Sequence, residues 1–152
     1  MTTTEPIRQE HGYLRPGIEA LREAGDLVGR AEWGVAKARA ERCVAFLSER
    51  LIPHARAEEQ FLYPRVGYLM GSLRATRTMA HDHAEVRTLT GQLERALEEG
   101  DRPMAQRLLY GLYHILDLHL RKEDEVYGPL VAEYLSEGEV RELIRDMHVH
   151  AA

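Results

Sequence analysis

His54-Ala-Arg-Ala-Glu58 and His119-Leu-Arg-Lys-Glu123 are the same chemical unit written twice. In each, a histidine precedes a glutamate by four residues, an acidic residue follows the glutamate (Glu59, Asp124), and a proline stands ten residues after the histidine (Pro64, Pro129). A further histidine embedded in apolar sequence lies upstream of each unit, His11 before the first and His83 before the second. Positions four apart on a helix lie on one face, about 40° apart, so each His-x-x-x-Glu pair can grip one centre. The order His, His-x-x-x-Glu, His, His-x-x-x-Glu points to a two-metal site inside a four-helix bundle.

Working outward from these units, apolar residues recur at three- and four-residue steps along almost the whole chain, and alternation with period two is scarce. The pattern predicts an all-α fold with four long helices, roughly 7–28, 34–63, 74–99 and 102–127. The stretches between them carry breakers: Gly29 to Gly34, Pro64 to Gly71, and Gly100-Asp101 with Pro103 suited to a first helical turn. Short links favour antiparallel neighbours, hence an up-down-up-down bundle. Beyond Gly128-Pro129, Ser136 and Glu139 have the spacing of a capping box for a short additional helix over about 137–148. The chain reads as one domain over 1–152, with a bundle at about 7–128 and a C-terminal helical extension at about 129–150. Its halves, 7–64 and 74–129, form a loose repeat in which Glu10-His11 echoes Asp82-His83.

Helical phasing puts the six candidate ligands inside. His54 and Glu58 share a face with Val44, Leu47, Leu51 and Phe61, and His119 and Glu123 share one with Leu108, Leu112, Ile115 and Val126. His11 aligns with Leu14, Ile18 and Leu21, and His83 with Met79, Val86, Leu93 and Leu97. An unpaired carboxylate moved from water into an apolar interior costs several kcal/mol or changes its protonation state. Two such glutamates in one core call for cations, and imidazole with carboxylate suits iron, manganese or zinc. A single histidine on an apolar stripe is commonly a hydrogen-bonded core residue; four in this repeated order, with two inward glutamates, are not explained that way.

Composition narrows the function classes. Basic and acidic residues, 20 against 25, are mixed along the chain with no basic patch, so no nucleic-acid partner is expected. The single cysteine, Cys43, cannot form an internal disulfide. The start, MTTTEPIRQE, lacks the cationic and apolar parts of a secretion signal, and no apolar run is long enough to span a bilayer. The expected location is cytoplasmic, with no membrane partner; oligomeric state is not legible.

These residues resemble the hemerythrin-like, or HHE cation-binding, family over nearly all of 7–130. The resemblance rests on Glu-His-x-x-Leu at 10–14, His-x-x-x-Glu-Glu-x-x-Leu-Tyr-Pro at 54–64 and His-x-x-x-Glu-Asp-x-Val-Tyr-x-Pro at 119–129. It implies a four-helix bundle around a non-haem di-iron centre, oxo- or hydroxo-bridged, ahead of manganese or zinc. Carried over by position, Glu58 and Glu123 would bridge the irons and His11, His54, His83 and His119 would be terminal ligands. Ferritin-like bundles use Glu-x-x-His instead, the reverse order at a shorter spacing. The oxygen-carrying hemerythrins have a fifth histidine on the third helix, where this chain has Met79 and Arg87 four residues either side of His83. That departure argues against a plain oxygen carrier. Asp124 holds the position of the carboxylate in those carriers and competes with Glu123 for the bridging role, although Glu123 fits the internal repeat.

Several other residues invite a role. Tyr13, Tyr63, Tyr110, Tyr113 and Tyr127 lie near the ligands in sequence, as hydrogen-bonding or adventitious ligands or simply as core fillers with a polar tip. Pro16 and Pro53 should kink their helices beside His11 and His54. The expected function is binding or sensing dioxygen, peroxide or nitric oxide; the alternatives are a di-iron redox enzyme acting on peroxide or oxygen, and an iron-buffering bundle. No catalytic residue is assigned.

The phasing makes a direct prediction. His81 is about 200° from His83 round the helix, and His114 about 140° from His119, so both belong outside. His83→Ala should therefore strip metal or alter its spectrum, while His81→Ala leaves both near wild type. Asp124→Ala should damage the centre less than Glu123→Ala. Metal analysis of the four variants decides it.

Overall fold

The computed structural model describes residues 5–151; residues 1–4 and 152, part of the expected domain span and of the amino terminus read for a leader, lie outside the described residues. Every regular element among the described residues is helical, with no strand. Helix α1 is Glu5–Arg30. Helix α2 runs over 33–69, a single-turn 3₁₀ segment follows at Leu73–Thr76, and α3 is Arg77–Glu99. Helix α4 runs over 102–134 and α5 is Glu137–Ala151. Helix α1 packs on α2 and α4, and α3 on α4 and α2, which closes the four-helix bundle; α5 lies across α2 and α1.

The ends are set by local chemistry. Gly100, at φ 70°, closes α3 in the left-handed region open to glycine, and Asp101 N–H donates to the Ala96 carbonyl at 2.9 Å. Asp101 then caps α4 by accepting from Met104 N–H at 3.1 Å. The capping box forms at α5: Ser136 N–H donates to Glu139 Oε2 at 2.8 Å and Glu139 N–H to Ser136 Oγ at 3.2 Å.

Two of the expected helix ends are not ends. Helix α2 passes through Pro64 to Leu69, and α4 passes through Gly128-Pro129 to Tyr134. The reason lies just upstream of each proline, where the backbone widens into a π-turn: Glu58–Leu62 before Pro64 and Glu123–Tyr127 before Pro129. A third, Leu47–Leu51, precedes Pro53. Proline lacks an N–H and its ring crowds the carbonyl four residues back, and shifting to i→i+5 bonding relieves both without breaking the helix. No such widening accompanies Pro16, which sits in unbroken α-helix.

The π-turns also reset the phase. With i→i+5 bonding widening each turn, the residue five after each candidate glutamate comes round toward its face, and Tyr63 and Gly128 are buried. The straight-helix phasing of Phe61 and Val126 fails accordingly: Phe61 is only half-buried and Val126 is 49% exposed. The six candidate ligands form a polar layer between two apolar clusters. One, from Leu14 and Leu51 to Leu97 and Leu112, fills the long end of the bundle. The other, including Ile7, Leu62, Tyr127 and Met147, fills the end covered by α5.

The bundle's tightness at two glycines gives opposite expectations for one substitution. A methyl at Gly25 would come within 2.6 Å of the Tyr110 ring, which is pinned by its hydrogen bond to Asp26, whereas one at Gly91 meets nothing within 4 Å. Gly91→Ala should stabilise by about 0.4–1 kcal/mol through the unfolded chain. Gly25→Ala should destabilise by roughly 1–3 kcal/mol, the cost of overpacking. Urea melts of the two variants check the signs.

Candidate metal centre

All four histidines and both glutamates converge in the polar layer, and all but the partly buried His54 are fully buried. Two groups of ligand atoms lie close enough to share an ion, His11 with His54 and Glu58, and Glu58 with His83 and His119. Glu58 belongs to both: its Oε2 is 3.6 Å from His54 Nε2 and its Oε1 is 3.3 Å from His83 Nε2. Glu123 Oε1 lies 2.7 Å from His119 Nε2. His81 and His114 are exposed.

The acidic neighbours of the ligands orient the imidazoles. His11 Nδ1 donates to Asp124 Oδ1 at 2.6 Å, and Arg15 donates to the other Asp124 oxygen at 2.8 Å. His119 Nδ1 donates to Asp82 Oδ2 at 2.9 Å, and Lys122 donates to that oxygen at 2.7 Å. His83 Nδ1 is 3.7 Å from Glu59, which accepts from Arg87 at 3.2 Å. The internal repeat pairs the fourth histidine, His54, with Glu10, whose negative charge acts on it and whose carboxylate contacts His148 of α5. Because an ionised carboxylate only accepts, Nδ1 of His11 and His119 carries the hydrogen, and Nε2 presents a lone pair to the interior. Asp124 thus serves His11 from outside the ligand layer and leaves Glu123 as the inward carboxylate of that unit.

These lone pairs are the test of whether a metal fits. Nε2 of His119 and Glu123 Oε1 face each other at 2.7 Å, a contact that needs a proton or a cation between them, and His54 Nε2, Glu58 Oε2 and both Glu123 oxygens are buried with no other hydrogen bond. Such groups cost free energy unless a cation joins them. The electrostatics of the two carboxyls agree. Burial, and then the charge of Glu58, push the Glu123 carboxyl well above its ordinary range. Burial opposes ionisation of Glu58 too, but His54 and the hydrogen bonds around it hold its carboxyl well below that range. His54 is correspondingly raised, the Glu58 charge overcoming the burial that would discharge it. The donor set fits a metal: His11, His54 and Glu58 on one side, His83, His119 and Glu58 on the other, with Glu123 beside His119.

The sequence named Tyr63 only as one of five tyrosines. Its hydroxyl lies 3.2 Å from His83 Nε2 and 3.0 Å from His119 Nε2, inside the ligand layer. Burial, then the charges of Glu58 and Glu123, raise its pKa and keep the phenol protonated. Tyr127 packs edge-on against Tyr63 with ring centres 5.8 Å apart. The other three stand apart: Tyr110 bonds Asp26, Tyr113 packs on His114, and Tyr13 is exposed. What sets Tyr63 apart is the π-turn at Glu58–Leu62, which its sequence position ahead of Pro64 does not by itself reveal.

The Hemerythrin HHE cation binding domain family matches residues 2–131. The chain belongs to this family, a class of helical metal-binding proteins, and its clustered His/Glu groups could hold a metal ion. No curated protein and no solved structure matches it. Helix α5 lies beyond the matched residues. No helix among the described residues is long and apolar enough to cross a membrane.

The charge imbalance predicts how the metal-free protein melts. Since the Glu123 pKa is raised on folding, its contribution to stability is full below its unfolded value of about 4.3 and is lost as pH rises through the folded value. Metal-free Glu123→Gln should therefore melt above metal-free wild type at neutral pH, with the gap closing as pH falls toward 4.3. Added metal should raise the melting temperature of wild type far more than that of the variant. Calorimetry across this pH range checks both signs; a pH-independent gap would locate the strain elsewhere.

Proposed function

We propose that the site holds two iron ions joined through Glu58 and Glu123, and that the chain binds or senses dioxygen, peroxide or nitric oxide there. The observation that carries this reading is Glu58, whose two oxygens reach toward histidines of opposite halves of the repeat. A carboxylate so placed serves two ions better than one. Mixed imidazole and carboxylate donors suit iron, and four histidines with two carboxylates leave coordination positions for a small exogenous ligand. Iron bound there would supply a redox-active Lewis acid.

The protein's own groups define what the ligand meets. Tyr63 offers a protonated phenol beside His83 and His119, a hydrogen-bond donor to an anionic ligand. Asp82 with Lys122 and Asp124 with Arg15 hold the imidazoles in their metal-facing tautomer. The apolar clusters above and below keep bulk water away from the layer. A second reading, a redox enzyme consuming peroxide or oxygen, draws on the same phenol, since a proton donor in reach of the site is what such chemistry needs.

Protein produced with adequate iron should carry about two irons per chain and show the charge-transfer absorption of a bridged ferric pair. Adding dioxygen, peroxide or nitric oxide to anaerobically purified protein should give a reversible spectral change. Sustained turnover would favour the enzyme reading. A tightly bound single zinc without a binuclear spectrum would overturn both.

A further inference from the structure

Two spaces lead from solvent toward the His11–His54 half of the site. The outer is an open cleft of about 310 Å³ bordered by Tyr13, Arg50 and His148. The inner is a void of about 10 Å³ bordered by His11, Glu58 and Ile144. Glu10, His54 and Met147 line both, so these three side chains stand where the two spaces adjoin. A space of that inner size holds about one water-sized molecule. Of the three, His54 is a candidate ligand, and Glu10 is engaged with His148. Met147 is apolar, buried and unbranched, with rotatable bonds that let it swing without breaking a hydrogen bond. On the other half of the site, Tyr63 stands against His83 and His119.

We propose that Met147 of α5 is the gate through which small ligands reach the metal centre, so that a helix lying beyond the family's matched residues sets the size and rate of what enters. The proposal rests on the small-ligand reading above. The Glu10–His148 contact seats α5, and thioether motion opens the way between the two spaces for molecules of a few atoms.

The test uses the full-length iron-loaded protein and azide, followed by stopped-flow absorbance. A gate changes association and dissociation by the same factor and leaves Kd alone. Met147→Ala should raise both rates by roughly tenfold, as removing about 1.4 kcal/mol of barrier does, and Met147→Phe should lower both. Opposite signs cannot come from a shared loss of stability, and metal content and helicity report whether each variant is folded. Unchanged rates in both variants would overturn the gate. So would a changed Kd carried by dissociation alone, which would make Met147 a contact to bound azide. Absence of azide binding in iron-loaded wild type would overturn the small-ligand reading itself, and the gate with it.

Discussion

Glu58 and Glu123 occupy one small volume in the interior, and neither burial nor mutual repulsion allows both to ionise without positive charge between them. Most of the surrounding architecture answers that constraint. His11 and His119 turn lone pairs inward because Asp124 and Asp82, outside the layer, hold their other nitrogens, and those carboxylates are themselves matched by Arg15 and Lys122. The outer charges therefore nearly cancel. What remains is the pair of inner glutamates, which a cation between them would match.

Placing these groups on continuous helices depends on the π-turns. A straight α-helix would stop or kink at Pro64 and Pro129, and the chain would leave the bundle directly after its ligand units. The widened turns at Glu58–Leu62 and Glu123–Tyr127 carry both helices past their prolines and begin at the ligand glutamates themselves. They also turn the residue five positions on into the site. In one half that residue is Tyr63, in the other Gly128, so an otherwise symmetric repeat delivers a phenol to one side only.

The fold class, the four bundle helices, the capping box at Ser136 and the inward convergence of the six candidate ligands were legible because they follow from periodicity and spacing. The exposure of His81 and His114 was legible for the same reason. The passage of α2 and α4 through proline was not, since a breaker in sequence does not reveal that a π-turn can absorb it. Phe61 and Val126 were consequently phased inward and Tyr63 was not singled out. The partners of the imidazoles were also hidden: Asp124 is adjacent to Glu123 in sequence, yet it serves His11, which comes from α1 across the bundle.

The same asymmetry extends to the outer shell. Asp82 is clamped by Lys122, which follows His119 by three residues; the position three residues after His54 is Ala57, a buried apolar residue that cannot do this for Glu10. The partner of Glu10 is instead His148, from a helix outside the repeat. A duplicated four-helix unit would leave this quadrant with an unmatched carboxylate and an uncovered apolar end. Helix α5 meets both deficits at once, its Val140 and Met147 completing the apolar cluster while His148 faces Glu10. The extra helix therefore packs against the candidate site, closing the half of the repeat that its own sequence leaves open.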